Sequence, residues 1–136
     1  YETSAGKTAT RVVRPDGYFL VERRIRFGRV KLFSFLLEID MSSEDNPRFA
    51  REKIRPGVAY LKSTQYAERF DQPYGRYLVV TTGRRRMLNM KAQAERHGGK
   101  KLFYFSTFDD LRAGTVLTEP VWMLAGHQES RSIIPS

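Results

Sequence analysis

The chain has 136 residues, with 24 Lys and Arg against 15 Asp and Glu, a net charge of +9 and a pI near 10.1. That length fits one compact domain, and no apolar run is long enough to span a membrane as a helix. Cysteine is absent and only His97 and His127 offer imidazole, which excludes disulfides and thiolate metal sites and leaves magnesium or manganese on oxygen ligands as the expected metal chemistry.

The chain begins at Tyr1 without an initiator methionine, so it is expected to be a piece of something longer. Residues 1–10, YETSAGKTAT, are small and polar and read as a lead-in. TSAGKT lacks the preceding strand and full spacing of a phosphate loop. From Arg11 to Glu22 the pattern predicts a strand, interrupted at Pro15–Asp16–Gly17. RRIRFGRV forms a hairpin tip with Gly28 as the turn residue. Lys31 to Asp40 is apolar enough to be a central strand covered on both faces.

A turn over 42–46 leads to a helix from Pro47 to about residue 69. Ala50, Ile54, Val58 and Leu61 form its apolar stripe, and Pro56–Gly57 predicts a kink or two consecutive helices. RYLVVTT (76–82) is a buried strand, followed after Gly83 by a helix to about His97 that stops at Gly98–Gly99. KLFYFS (101–106) is the next strand. Thr107 and Asp110 predict a short capped helix ending at Gly114. EPVWMLA (119–125) closes the domain, and 126–136 reads as a loose tail. Strands alternating with helices after an opening hairpin, over 11–125, predict an α/β sandwich with a central mixed sheet.

The basic charge is clustered. ERRIRFGRVK contains Arg23, Arg24, Arg26 and Arg29, and TTGRRR sets Arg84, Arg85 and Arg86 at a helix start. Such fields attract polyanions, and nucleic acid, DNA above all, is the expected partner; a solvated surface kept for solubility is the alternative. The free N–H groups at a helix start favour phosphate, whereas three cations there oppose the dipole. Tyr18, Phe19, Phe103, Tyr104, Phe105 and Trp122 read as core rather than as base-stacking platforms.

FSFLLEID carries the chemistry. Residues two apart on a strand share a face, so Glu38 and Asp40 project together from the end of a buried strand, where repulsion and desolvation call for a cation or a basic group. The antiparallel hairpin returns Asp16 to the same end. Three acids then gather at one sheet end, a set that suits Mg²⁺; exposed acids around a Pro-Asp-Gly turn are the alternative.

RPDG, a hairpin and LLEID together resemble the PD-(D/E)xK nuclease superfamily, with its restriction-endonuclease-like fold. The resemblance implies that Asp16 and Glu38 bind Mg²⁺ or Mn²⁺ and that a lysine two residues on positions water. Asp40 stands in that lysine's place, as a further ligand or water-positioning group. Some members carry the lysine on the next helix, where Lys53 is the candidate. The order PDG, LLEID, YLVVTTGRRR, FYFSTFDDL and PVW is similar to the replication-relaxation family of bacterial plasmids and mobile elements, whose members typically carry a winged-helix DNA-binding region ahead of this part. It implies a cytoplasmic DNA-binding protein of plasmid replication. Either it cuts phosphodiesters with a divalent ion, or it is a catalytically inactive module that binds nucleic acid or a replication or transfer protein. Tyr60 and Glu44 are lesser candidates for phosphate and outer metal contact, set against packing and turn roles.

Overall fold

The opening hairpin fixes the end of the sheet at which the acidic residues gather. In the computed structural model, which describes residues 15–24, 26–41, 46–70, 75–112 and 116–134, β1 (Gly17–Arg24) runs antiparallel to β2 (Val30–Ile39). The lead-in 1–10 and the expected start of the first strand lie outside the described residues. The tip, Arg26–Gly28, is a tight turn in which both Phe27 and Gly28 have positive φ.

From β2 the chain crosses over through α1 (Asn46–Phe49), a π-helical turn (Ala50–Ile54), α2 (Arg55–Leu61) and α3 (Thr64–Phe70). It re-enters the sheet as β3 (Arg76–Thr81), parallel to β2. A second crossover through α4 (Arg84–Arg96) delivers β4 (Phe103–Thr107), parallel to β3. Strands β5 (Trp122–Leu124) and β6 (Ser130–Arg131) then add antiparallel, giving a six-stranded mixed sheet in the order β1-β2-β3-β4-β5-β6. The fold is mixed α/β, as the alternation of elements predicts.

The helices share one face of the sheet. Leu36, Tyr77, Val79, Phe103 and Phe105 meet Phe49, Ile54, Leu61, Met87, Met90 and Ala94 there. Each large apolar side chain fully buried this way contributes about 1.5–3 kcal/mol relative to exposure. Gly57 permits the close approach, because a Cβ at that position would sit 3.1 Å from both Tyr77 and Phe103. Those two rings stack with centroids 5.0 Å apart. The opposite face, with Phe35, Leu78, Val80 and Trp122, is covered by irregular chain that supplies Leu111, Val116, Leu117 and Ile133. Strand β2 is thus covered on both faces along its middle, Ser34 to Leu36, whereas Val30, Leu32 and Ile39 are exposed.

Three expectations are corrected. The expected interruption at Pro56–Gly57, a kink or two consecutive helices, is displaced: Pro56 falls in the first turn of α2, where a missing N–H is tolerated. The break comes at Lys62–Ser63, where Ser63 Oγ donates to the Tyr60 carbonyl at 2.6 Å and accepts the Tyr66 amide at 3.2 Å. Thr107 and Asp110 do bond to each other, the hydroxyl reaching Asp110 Oδ2 at 2.9 Å, but they close a turn over 108–110. Described residues 111 and 112 are not helical, and Leu111 turns to cover the sheet. Finally, residues 127–134 are held rather than loose, because β6 pairs with β5 and Ile133 is buried in one cluster with Trp122 and Val80.

Candidate functional site

Asp16 is fixed by the ladder it precedes. Gly17 lies opposite Leu37, so Asp16 comes opposite Glu38. Its amide donates to the Leu37 carbonyl at 2.8 Å, and its Oδ2 accepts the Ile39 N–H at 2.7 Å. A carboxylate bound to a strand-end amide in this way has a set direction while the residue itself stays exposed. Asp16 and Glu38 therefore meet at one end of the sheet, from two neighbouring strands.

Glu38 lies on the helix-covered side of β2, the side of Leu36. Its Oε1 is 3.0 Å from Lys53 Nζ, with the glutamate side chain 14% and the lysine side chain 40% exposed. Lys53 belongs to the π-helical turn, in which the Arg55 N–H reaches back five residues to the Ala50 carbonyl. The widened turn keeps Phe49, Ala50 and Ile54 in the core while Lys53 leans over the sheet end. Single π turns inside helices concentrate at functional sites.

Asp40 behaves differently. It comes directly after β2, and its amide extends the ladder by donating to the Val80 carbonyl at 2.8 Å. Its side chain turns to α4 and takes both arms of Arg86: Nε to Oδ2 at 2.6 Å and an Nη to Oδ1 at 3.0 Å. Thr81 Oγ1 donates to Oδ2 at 2.5 Å. Asp40 is only 6% exposed and Arg86 18%, so this is a buried, bidentate ion pair. Asp40 thus shares the face of Glu38, and both of its oxygens are bonded to Arg86 and Thr81. Among the described residues no group of three or more His, Cys, Asp or Glu side chains is placed to hold a metal ion.

The same pair sorts the arginines. Arg84 and Arg85 are exposed on the first turn of α4, whereas Arg86 faces inward and has its charge met by Asp40. Asp40 also supplies negative charge near a helix N-terminus that carries no acid in its own first turn. Arg24, Arg26 and Arg29 are exposed at the hairpin tip, and Arg23 is half-buried. Tyr60 is a packing residue, buried edge-on against Tyr66 with its hydroxyl 3.5 Å from Arg69. Of the histidines, His97 accepts from Arg55 Nε at 3.1 Å. Glu44 lies outside the described residues.

Two buried polar arrangements have no simple mark in the sequence. Ser34 hydrogen-bonds Tyr66 beneath the helices, where burial pushes the Tyr66 phenol up from its ordinary range despite that bond. Lys91 donates to Glu95 at 2.9 Å, and the same Glu95 oxygen accepts the Gly126 amide at 2.6 Å, tying the last turn to α4. Burial tends to raise the Glu95 carboxyl, but the Lys91 and Gly126 hydrogen bonds and the charges of Lys91 and Lys100 outweigh it and hold it below its ordinary value. The i,i+4 spacing of Lys91 and Glu95 is the one legible signal.

No protein-family model matches the chain, and searches of curated proteins and of solved structures likewise find no match. No helix among the described residues is long and apolar enough to cross a membrane.

Proposed function

We propose that the chain is a DNA-binding domain of nuclease-like fold in which Asp16, Glu38 and Lys53 form a divalent-metal-dependent phosphodiester hydrolysis site. The carrying observation is the 3.0 Å Lys53–Glu38 pair at the sheet end where Asp16 is anchored. That is the residue set the nuclease resemblance implies, with the lysine displaced onto the following helix. The opening hairpin and mixed sheet are compatible with it. The similarity to replication-relaxation proteins makes a role in plasmid or mobile-element replication the favoured setting.

The donor set fits magnesium or manganese: two carboxylates supply hard oxygens, with water and phosphate oxygens completing the shell. When bound, such an ion would polarise a phosphoryl oxygen and lower the pKa of an attacking water. The protein's own part is positional. The Ile39 amide holds the direction of the Asp16 carboxylate. Glu38 keeps Lys53 in reach, and release of that ammonium towards the phosphate would orient water or offset developing charge. Arg84 and Arg85 offer phosphate contacts from the start of α4.

The test is nicking of supercoiled and single-stranded DNA with Mg²⁺ or Mn²⁺, alongside thermal midpoints with and without the ions. Metal-dependent cleavage is expected, abolished in Asp16→Asn and Glu38→Gln and strongly reduced in Lys53→Met. Equal behaviour of the wild type and all three variants would refute the enzymatic reading. A second reading, an inactive nuclease-like module that binds nucleic acid or a replication protein, is favoured by the Asp40–Arg86 pair standing where the resemblance places a lysine. It requires salt-sensitive DNA binding with no metal and no cleavage, or a protein partner in place of DNA.

A further inference from the structure

The hairpin tip presents a feature that the sheet-end site does not use. Phe27 is 95% exposed, whereas the next most exposed large apolar side chain among the described residues, Met41, is 66% exposed. Its backbone lies at φ 64°, ψ 32°, in the left-handed region that bulky side chains avoid. Glycine or asparagine is the ordinary residue there. A phenylalanine so placed is locally unfavourable and has almost no burial to offset it.

Its surroundings indicate what it meets. Arg23, Arg24, Arg26, Arg29 and Lys31 fall within nine residues around it, and all but Arg23 are exposed. A two-stranded ribbon is narrow enough to enter a DNA groove, and cations along it would neutralise the flanking phosphates. Single-strand binders line a groove with several aromatic platforms. Here one ring stands alone at a protruding apex, the arrangement of an apolar wedge driven between base pairs.

We propose that Phe27 inserts into a base step of duplex DNA while Arg24, Arg26 and Arg29 hold the adjoining phosphates. The proposal rests on the DNA-binding reading above and adds the mode of contact. From the Gly17–Leu37 pair to the Arg24–Val30 pair the hairpin spans seven residue steps, about 23 Å at the rise of a strand. The wedge therefore grips the duplex well away from Asp16 and Glu38, and changes at Phe27 leave metal binding there untouched.

The experiment uses duplexes carrying 2-aminopurine and matched single strands, titrated at several salt concentrations with wild type, Phe27→Gly, Phe27→Asn and Phe27→Trp. Gly and Asn accept the left-handed backbone, so their thermal midpoints are expected at or above that of wild type. For the wild type, binding should unstack the probe and raise its fluorescence. Phe27→Gly and Phe27→Asn should lose that rise and bind duplex about tenfold more weakly with an unchanged salt slope, while Phe27→Trp should keep both. Salt-dependent binding with equal affinity and equal fluorescence in wild type and Phe27→Gly would overturn the wedge and leave DNA binding standing. Loss of affinity on single strands alone would also overturn it. No salt-dependent binding by the wild type would remove the DNA-binding reading itself.

Discussion

Replacing Arg86 with Met tests whether Asp40 is a structural anchor or a ligand in waiting. The guanidinium gives Asp40 two hydrogen bonds, and the carboxylate is 6% exposed. Arg86→Met leaves that carboxylate buried with the Thr81 hydroxyl as the remaining side-chain donor shown for it. Breaking a buried pair from one side costs about 3–5 kcal/mol. For 136 residues the unfolding entropy is about 0.29 kcal/mol/K, so the midpoint should fall by about 10–17 °C. Removing both charges, in Asp40→Leu/Arg86→Met, should recover most of that loss, because an apolar pair of similar volume avoids desolvating two ions. Scanning calorimetry and urea denaturation of the wild type, both single variants and the double variant give the full cycle. The freed Asp40 should also make the midpoint of Arg86→Met respond more to Mg²⁺ than that of wild type. A fall of under about 3 °C in Arg86→Met, or a double variant worse than the sum of the singles, would refute the anchor.

Replacing exposed Arg84 and Arg85 by Ala should flatten the dependence of log K for DNA on log salt by about two units while leaving the midpoint within a few degrees, as read by fluorescence anisotropy and thermal melts. Because the Glu95 carboxyl is depressed in the folded state, its contribution is present above its unfolded pKa and is lost as pH falls through the lower folded value. Glu95→Gln should therefore lose stability at neutral pH and show a shallower acid limb in a pH series of urea melts. Phe27→Gly should match or exceed the wild type in stability by up to about 1 kcal/mol, since the left-handed backbone no longer carries a Cβ; a clear loss would mean that the ring packs in solution. Gly57→Ala should destabilise, because Tyr77 and Phe103 lie 3.1 Å from the new methyl, and a calorimetric midpoint checks it.

The hairpin was legible to within two residues: an antiparallel return about Gly28 brings Asp16 beside Glu38 or Asp40, and the ladder, with Gly17 opposite Leu37, selects Glu38. The alternating strands and helices and the Ala50–Ile54–Val58–Leu61 stripe were legible because period determines face. The direction of Asp40 was not. Its partners Thr81 and Arg86 arrive through a parallel crossover more than 40 residues downstream, and the only hint was the electrostatic conflict of three arginines at a helix start. The π turn was equally hidden, since helical propensity does not distinguish a four-residue from a five-residue reach. β6 was missed because two residues carry no period. Ile133 and Ile134 were the better signal, an apolar pair that needs a surface to cover.

The π turn has a consequence for how the lysine's position can change. A wide turn holds one residue more than the helix around it needs, so it can lose that residue without breaking either flanking segment. Excising the residue after Lys53 would let the widened turn relax to ordinary spacing and rotate α1, and Lys53 with it, by about 100° against α2. Lys53 and Glu38 would then part company while the aromatic stack beneath α2 stayed in register. In this chain the alignment of one cation with one carboxylate is carried by a single surplus peptide unit.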